Sequence, residues 1–125
     1  PDTQLVPNQW SGIMTTSKGT IYDFELSLDH TVRDRTQYRV AGTLYQRNRT
    51  SGIQAEEKVS GSIEPFTGKI MLDGDCFEPW PKGWFLDRLE LITNRDGTIE
   101  GIFRDKRNNH YIGSVKGNAM SRTLH

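Results

Sequence analysis

One acidic residue, Asp87, has a spacing that places it among apolar side chains. In an extended strand, Phe85, Asp87 and Leu89 lie on one face while their neighbours lie on the other. A carboxyl group on an apolar face must be paired or protonated. Three explanations stay open: Asp87 anchors a ligand, Asp87 shares a proton with a tyrosine, or the strand is bulged here. Asp87 working with a tyrosine would suit an isomerase or cyclase.

Aromatic residues supply the other candidates for binding. Trp80 lies between two prolines in segment 74–83, and Trp84 follows directly. The prolines stiffen the backbone, so an aromatic ring there loses little entropy when it meets a partner. This segment is interpreted as a lid, as a contact patch for another protein, or as a hydrophobic stopper. The residues predicted to bind a ligand are Trp10, Tyr22, Tyr38, Trp80, Trp84, Asp87, Phe103 and Tyr111.

Motifs for other chemistry are missing from the sequence. It contains no Gly-x-Ser-x-Gly elbow, no phosphate-binding glycine loop and no dinucleotide fingerprint. The histidines, His30, His110 and His125, lack the spacing of metal ligands. The single cysteine, Cys76, excludes an internal disulfide and slightly favours a reducing, cytoplasmic location. We therefore predict no catalytic residue, no metal and no cofactor.

Alternating apolar and polar residues predict the elements that hold these side chains. Short turn-forming segments separate the alternating runs, which favours an antiparallel meander. The predicted strands are 10–16, 21–28, 36–46, 56–63, 69–73, 84–93, 98–103 and 111–116. Residues 1–9 are expected to form an irregular lead-in, and residues 10–125 a single domain. Segments 17–19, 47–54, 74–83 and 104–110 would share one end of the fold, the expected mouth.

A glycine recurs between two apolar residues in five of these runs. Examples are Gly12, between Trp10 and Met14, and Gly42, between Val40 and Leu44. A glycine inside a strand is weakening unless sharp bending or close approach needs it. Small closed barrels need such bending. The pattern favours an all-β, up-and-down barrel over an open, twisted sandwich.

Eight meandering strands, together with the Trp10-x-Gly12 motif in the first, resemble the calycin-type barrels. That group includes the lipocalins, the fatty-acid-binding proteins and the avidins. The lipocalin signature has glycine before tryptophan, and here the order is reversed. The resemblance covers most of the chain and implies a barrel with an inner pocket, without implying a particular ligand.

The charge balance limits the possible partners. Sixteen basic and sixteen acidic residues give a formal net charge of zero, which argues against nucleic acid or an anionic membrane as partner. We expect a non-catalytic barrel that binds a small, partly apolar ligand at the end bearing Trp80 and Trp84. The alternative is a filled barrel that acts as a protein-interaction module, a homo-oligomer or part of a larger protein. Its interface would include outward-facing apolar residues: Ile13, Tyr45, Leu86, Ile92, Ile102 and Ile112.

Overall fold

The structure, a computed structural model, describes residues 8–120, apart from the side chains at positions 30 and 31. Eight antiparallel strands pair in chain order, and β1 also pairs with β8, which closes a barrel. The predicted fold class is therefore confirmed. The strands are β1 Gln9–Thr16, β2 Ile21–Asp34, β3 Gln37–Asn48, β4 Gln54–Glu64, β5 Lys69–Phe77, β6 Asp87–Thr93, β7 Thr98–Asp105 and β8 Tyr111–Ala119.

The core fills the inside of the barrel, because every second residue of each strand faces inward. Trp10 and Met14 on β1 are completely buried, as is Leu44 on β3. Leu72 and Leu89, from the neighbouring strands β5 and β6, are at most 2% exposed. Burying each such side chain contributes about 1.5–3 kcal/mol, so this apolar filling is the main stabilising term.

The recurring glycines lie where neighbouring strands approach closely. A Cβ atom added at Gly42 would lie 1.8 Å from the backbone oxygen of Ser27, and one at Gly12 would lie 2.1 Å from that of Lys116. No side chain fits at such distances, so only glycine permits this strand packing. The interpretation of these glycines as barrel-closing positions agrees with the closed sheet.

Four predicted boundaries were wrong by three residues or more; one of them is the end of β8, which runs to Ala119 and not to 116, and the other three have a local reason. A bulge between Leu28 and His30 lets β2 continue to Asp34, where a loop was expected. A second irregularity, between Lys58 and Val59 in the β4–β5 pairing, accompanies an extension of β5 to Phe77. Strand β6 begins only at Asp87, so the expected start at residue 84 was three residues early.

The two ends of the barrel carry different connections. We call the end with the β1–β2, β3–β4, β5–β6 and β7–β8 connections the loop end, and the other the opposite end. The expected lead-in falls outside the described residues except for Asn8 and Gln9, and β1 already begins at Gln9. The last five residues of the predicted domain also lie outside the described part.

Candidate functional site

A cluster of polar side chains is buried inside the barrel at the loop end. It comprises Gln46 on β3, Glu57 on β4 and Asp87 on β6, which are 4%, 0% and 7% exposed. Gln46 Nε2 donates to Glu57 Oε1 at 2.9 Å and to Asp87 Oδ2 at 3.2 Å. The backbone N–H of Asp87 donates to Glu57 Oε2 at 2.8 Å. We call Glu57 and Asp87 the carboxyl pair.

The backbone of β5 leaves room for the carboxyl pair. A Cβ atom at Gly74 would lie 1.9 Å from Glu57 Oε2 and 3.2 Å from the carbonyl oxygen of Asp87. The irregular pairing beside Val59 sets Gly74 opposite it and Cys76 opposite Lys58, so Asp75 is the extra residue. The missing side chain at position 74 thus gives Glu57 the space that it occupies.

Burial and mutual repulsion decide the protonation of the pair. Burial first, and then the negative charge of Asp87, raise the pKa of Glu57 from 4.5 to about 10. Glu57 is therefore protonated at neutral pH. Burial also raises the pKa of Asp87, while its side-chain hydrogen bonds with Glu57 and Gln46 oppose that rise. The nearby Asp105 carboxylate, which forms a 2.7 Å ion pair with Arg107, raises it further.

Aromatic rings cover the barrel beside this cluster. Trp84 packs edge-on against Tyr22 at 5.5 Å and against Phe77 at 6.0 Å between ring centroids. Phe77 lies directly opposite Glu57 in the β4–β5 pairing and also contacts Trp80 at 5.2 Å. Trp80 Nε1 donates to the Trp84 carbonyl at 2.8 Å, which ties the two tryptophans together. We call these four aromatic residues the aromatic cover.

The structure brings together some of the predicted binding residues and separates others. Tyr22, Trp80 and Trp84 meet in the aromatic cover, and Asp87 lies at the same end of the barrel. Trp10 and Tyr38 lie towards the opposite end, near the first residues of β1 and β3.

Phe103, on β7, is buried opposite Leu89. Two residues that we expected to face inward, Phe85 and Tyr111, are instead 49% and 51% exposed. Phe85 precedes β6, and the guanidinium of Arg107 lies 3.4 Å from its ring centroid. The orientation of Tyr111 follows from an irregularity beside Arg104, where β8 carries one extra residue relative to β7.

The partners of Asp87 differ from those expected. It bonds to a glutamine and pairs with a glutamate, not with a tyrosine, and β6 pairs with β7 without a bulge. Sequence reasoning missed both Gln46 and Glu57. The signal was present, because Gln46 continues the inward series of Leu44, and Glu57 lies between the inward-facing Ala55 and Val59.

Other candidate chemistry finds less support. Among the described residues, no group of three or more His, Cys, Asp or Glu side chains could hold a metal ion. His110 is exposed in the β7–β8 connection, while the side chain of His30 and all of His125 lie outside the described part. Burial and the neighbouring Glu78 raise the pKa of the Cys76 thiol, which disfavours a reactive thiolate. Between residues 8 and 120, no helix is long and apolar enough to span a bilayer.

The chain was compared with protein-family models, with curated proteins and with solved structures, and none of them matches it. The closed eight-stranded meander is consistent with calycin-like architecture, and the match extends no further than architecture.

Proposed function

We propose that this protein is a non-catalytic barrel that binds a small, partly apolar ligand at the loop end. The observation that carries the proposal is the buried carboxyl pair beside the aromatic cover. Buried carboxyl groups rarely add stability compared with apolar residues of similar volume. A polar group in an otherwise apolar layer, next to aromatic rings, is the arrangement that orients a ligand.

The chemistry of the pair indicates what the ligand carries. Asp87 is the more exposed of the two acids, so it is the one that a ligand would reach, and an ammonium group beside it would favour its ionised form. The group that it would accept is a hydrogen-bond donor, best a protonated amine. The rings of Trp84, Phe77 and Tyr22 would contact the apolar body of the same ligand. Binding requires the segment that carries Trp84 to move aside.

The proposal is tested with a probe that has both features. The folded protein is titrated with 2-phenylethylamine, and tryptophan emission is recorded because two of the tryptophans lie in the cover. We expect a saturable change with the amine and none with 3-phenylpropionate, a carboxylate of similar size.

Asp87→Asn should weaken amine binding at least about tenfold, because it removes the charge that attracts the ammonium group. Tyr38→Phe is the matched control, since Tyr38 lies towards the opposite end and its change should leave binding intact. Native mass spectra of protein purified from its host give a second readout, in which extra small mass on each folded chain is expected. A protein that shows neither a saturable response nor bound mass would overturn the proposal.

The outer wall favours a second candidate, a protein-interaction module. Its support comes from residues that do not line the ligand site, and it is developed below. An isomerase or cyclase that uses Asp87 stays a separate prediction, for which retained melting temperature and lost turnover in Asp87→Asn would be the evidence.

A further inference from the structure

The outer wall of β6, β7, β8 and β1 carries a short row of residues directly opposite one another. Ile92 pairs with Glu100, Glu100 with Lys116, and Lys116 with Ile13. The row therefore reads apolar, acidic, basic, apolar across four neighbouring strands. All four side chains face outward, because the residues next to them along each strand face the core.

The two central charges are not taken up by ion pairs. Both Glu100 and Lys116 are exposed, and neither forms an ion pair with any residue between positions 8 and 120. Ile92 is 47% exposed although a strand lies on each side of it. Ile13 is half-buried at the other end of the row. Charges without an ion-pair partner in the described chain can pair with opposite charges on another surface.

The wall has a shallow, open depression on each side of the central pair, and we call these two depressions the grooves. One groove is lined by Ile92, Ile102 and Ser114, and the other by Ile13, Thr98 and Asn118. Glu100 and Lys116 line both grooves, so they form the ridge between them. A grooved wall can receive side chains from a partner.

The order of the row is complementary to that of a second copy of this chain. Consider a two-fold axis that lies in the contact plane, parallel to β7 and β8 and between them. This axis sets β8 of the second copy opposite β7 of the first, and β1 of the second copy opposite β6 of the first. With the axis between Glu100 and Lys116, each Glu100 faces the Lys116 of the second copy. The same operation sets Ile92 on the side of the second copy's Ile13, and Ile102 opposite its Ser114. No like charges meet in these two rows, and the row is its own complement.

We propose that this wall, centred on Glu100 and Lys116, is the interface of a symmetric dimer of this chain. It lies outside the carboxyl pair and the aromatic cover, so it stands independently of the ligand proposal. A neutral chain with a self-complementary row favours a second copy over a strongly charged partner. The contact is made by side chains of an intact wall, because β6, β7, β8 and β1 are each paired with a strand on both sides.

Charge exchange tests the proposal. Sedimentation equilibrium measures the dimer dissociation constant of the wild type, Glu100→Lys, Lys116→Glu and the double exchange. Each single reversal places like charges opposite one another twice per dimer and should raise the dissociation constant at least about tenfold. The double exchange restores opposite charges and should restore dimerisation.

Controls separate folding from association. Glu56→Lys makes the same charge reversal on β4, away from this row, and should leave the dissociation constant unchanged. Ile92→Ser removes an apolar contact without changing charge and should also weaken the dimer. Melting temperatures show whether each variant is folded. A wild type that is monomeric at all concentrations would overturn the proposal, and so would a dimer that tolerates both single reversals.

Discussion

Replacing Glu57 by glutamine should change how the stability of the barrel depends on pH. Glu57 is fully buried, and burial together with Asp87 raises its pKa from 4.5 to about 10. The folded chain thus holds this proton more tightly than the unfolded chain. The stabilising contribution is complete below pH 4.5 and is lost as the pH rises towards 10.

The size of the effect follows from the same linkage. Between those limits the folded state holds up to one proton more than the unfolded state, so stability falls by up to about 1.4 kcal/mol per pH unit. From pH 6 to pH 8, Glu57 should therefore cost the wild type about 2–3 kcal/mol. Glu57→Gln keeps the shape but cannot ionise, so that loss should disappear. Its amide nitrogen cannot accept one of the two hydrogen bonds that Glu57 accepts, so the variant should be less stable at both pH values while its pH dependence is flatter.

Urea denaturation at pH 6 and pH 8 measures the free energy of unfolding directly. Burial also raises the pKa of Asp87, so the double variant Glu57→Gln/Asp87→Asn should flatten the profile further. Glu56→Gln is the matched control, because Glu56 is exposed on the same strand. The reasoning is refuted if Glu57→Gln loses as much stability between the two pH values as the wild type does.

Four further substitutions should lower the free energy of unfolding by amounts that follow from side-chain burial or from contact distance. Gly42→Ala should cost at least about 2 kcal/mol in urea denaturation, because its Cβ would lie 1.8 Å from the Ser27 backbone oxygen. Leu89→Ala, at 1% exposure, should cost about 2–5 kcal/mol, and a smaller loss would mean that the barrel collapses around the cavity. Trp84→Ala should cost about 2–3 kcal/mol, whereas Trp80→Ala, 53% exposed, should cost below about 1 kcal/mol; equal losses would contradict the structure of the cover.

Period-two patterning predicted most of the barrel because it reflects a simple physical division. Side chains alternate between core and solvent, so Phe24, Leu26 and Leu28 reveal β2, and the inward position of Asp87 could be predicted in the same way. The glycines added the second part of the argument, because Gly42 and Gly12 fit only where strands nearly touch. Both signals are local in sequence.

The predictions failed where alternation is interrupted or where partners are distant in sequence. The extra residue in β8 beside Arg104 reverses the expected orientation of Tyr111, and no local pattern marks that irregularity. The prediction that Phe85 faces inward fails because β6 begins only at Asp87, so Phe85 lies before the strand. Gln46, Glu57 and Asp87 meet only through the sheet order, since 30 residues separate the last two. The inward orientation of each polar residue could be predicted from its own strand, but the contact among the three residues could not.

The carboxyl pair is not required for the stability of the barrel. Three apolar residues of similar volume in place of Gln46, Glu57 and Asp87 would avoid the cost of burying two acids, and such replacements are often neutral or stabilising. Stability alone therefore does not account for this cluster, nor for a glycine at position 74 that makes room for Glu57. The loss of stability towards alkaline pH is the thermodynamic consequence of keeping it. A costly polar site kept beside aromatic rings at one end of the barrel is what the ligand recognition proposed for that end would require.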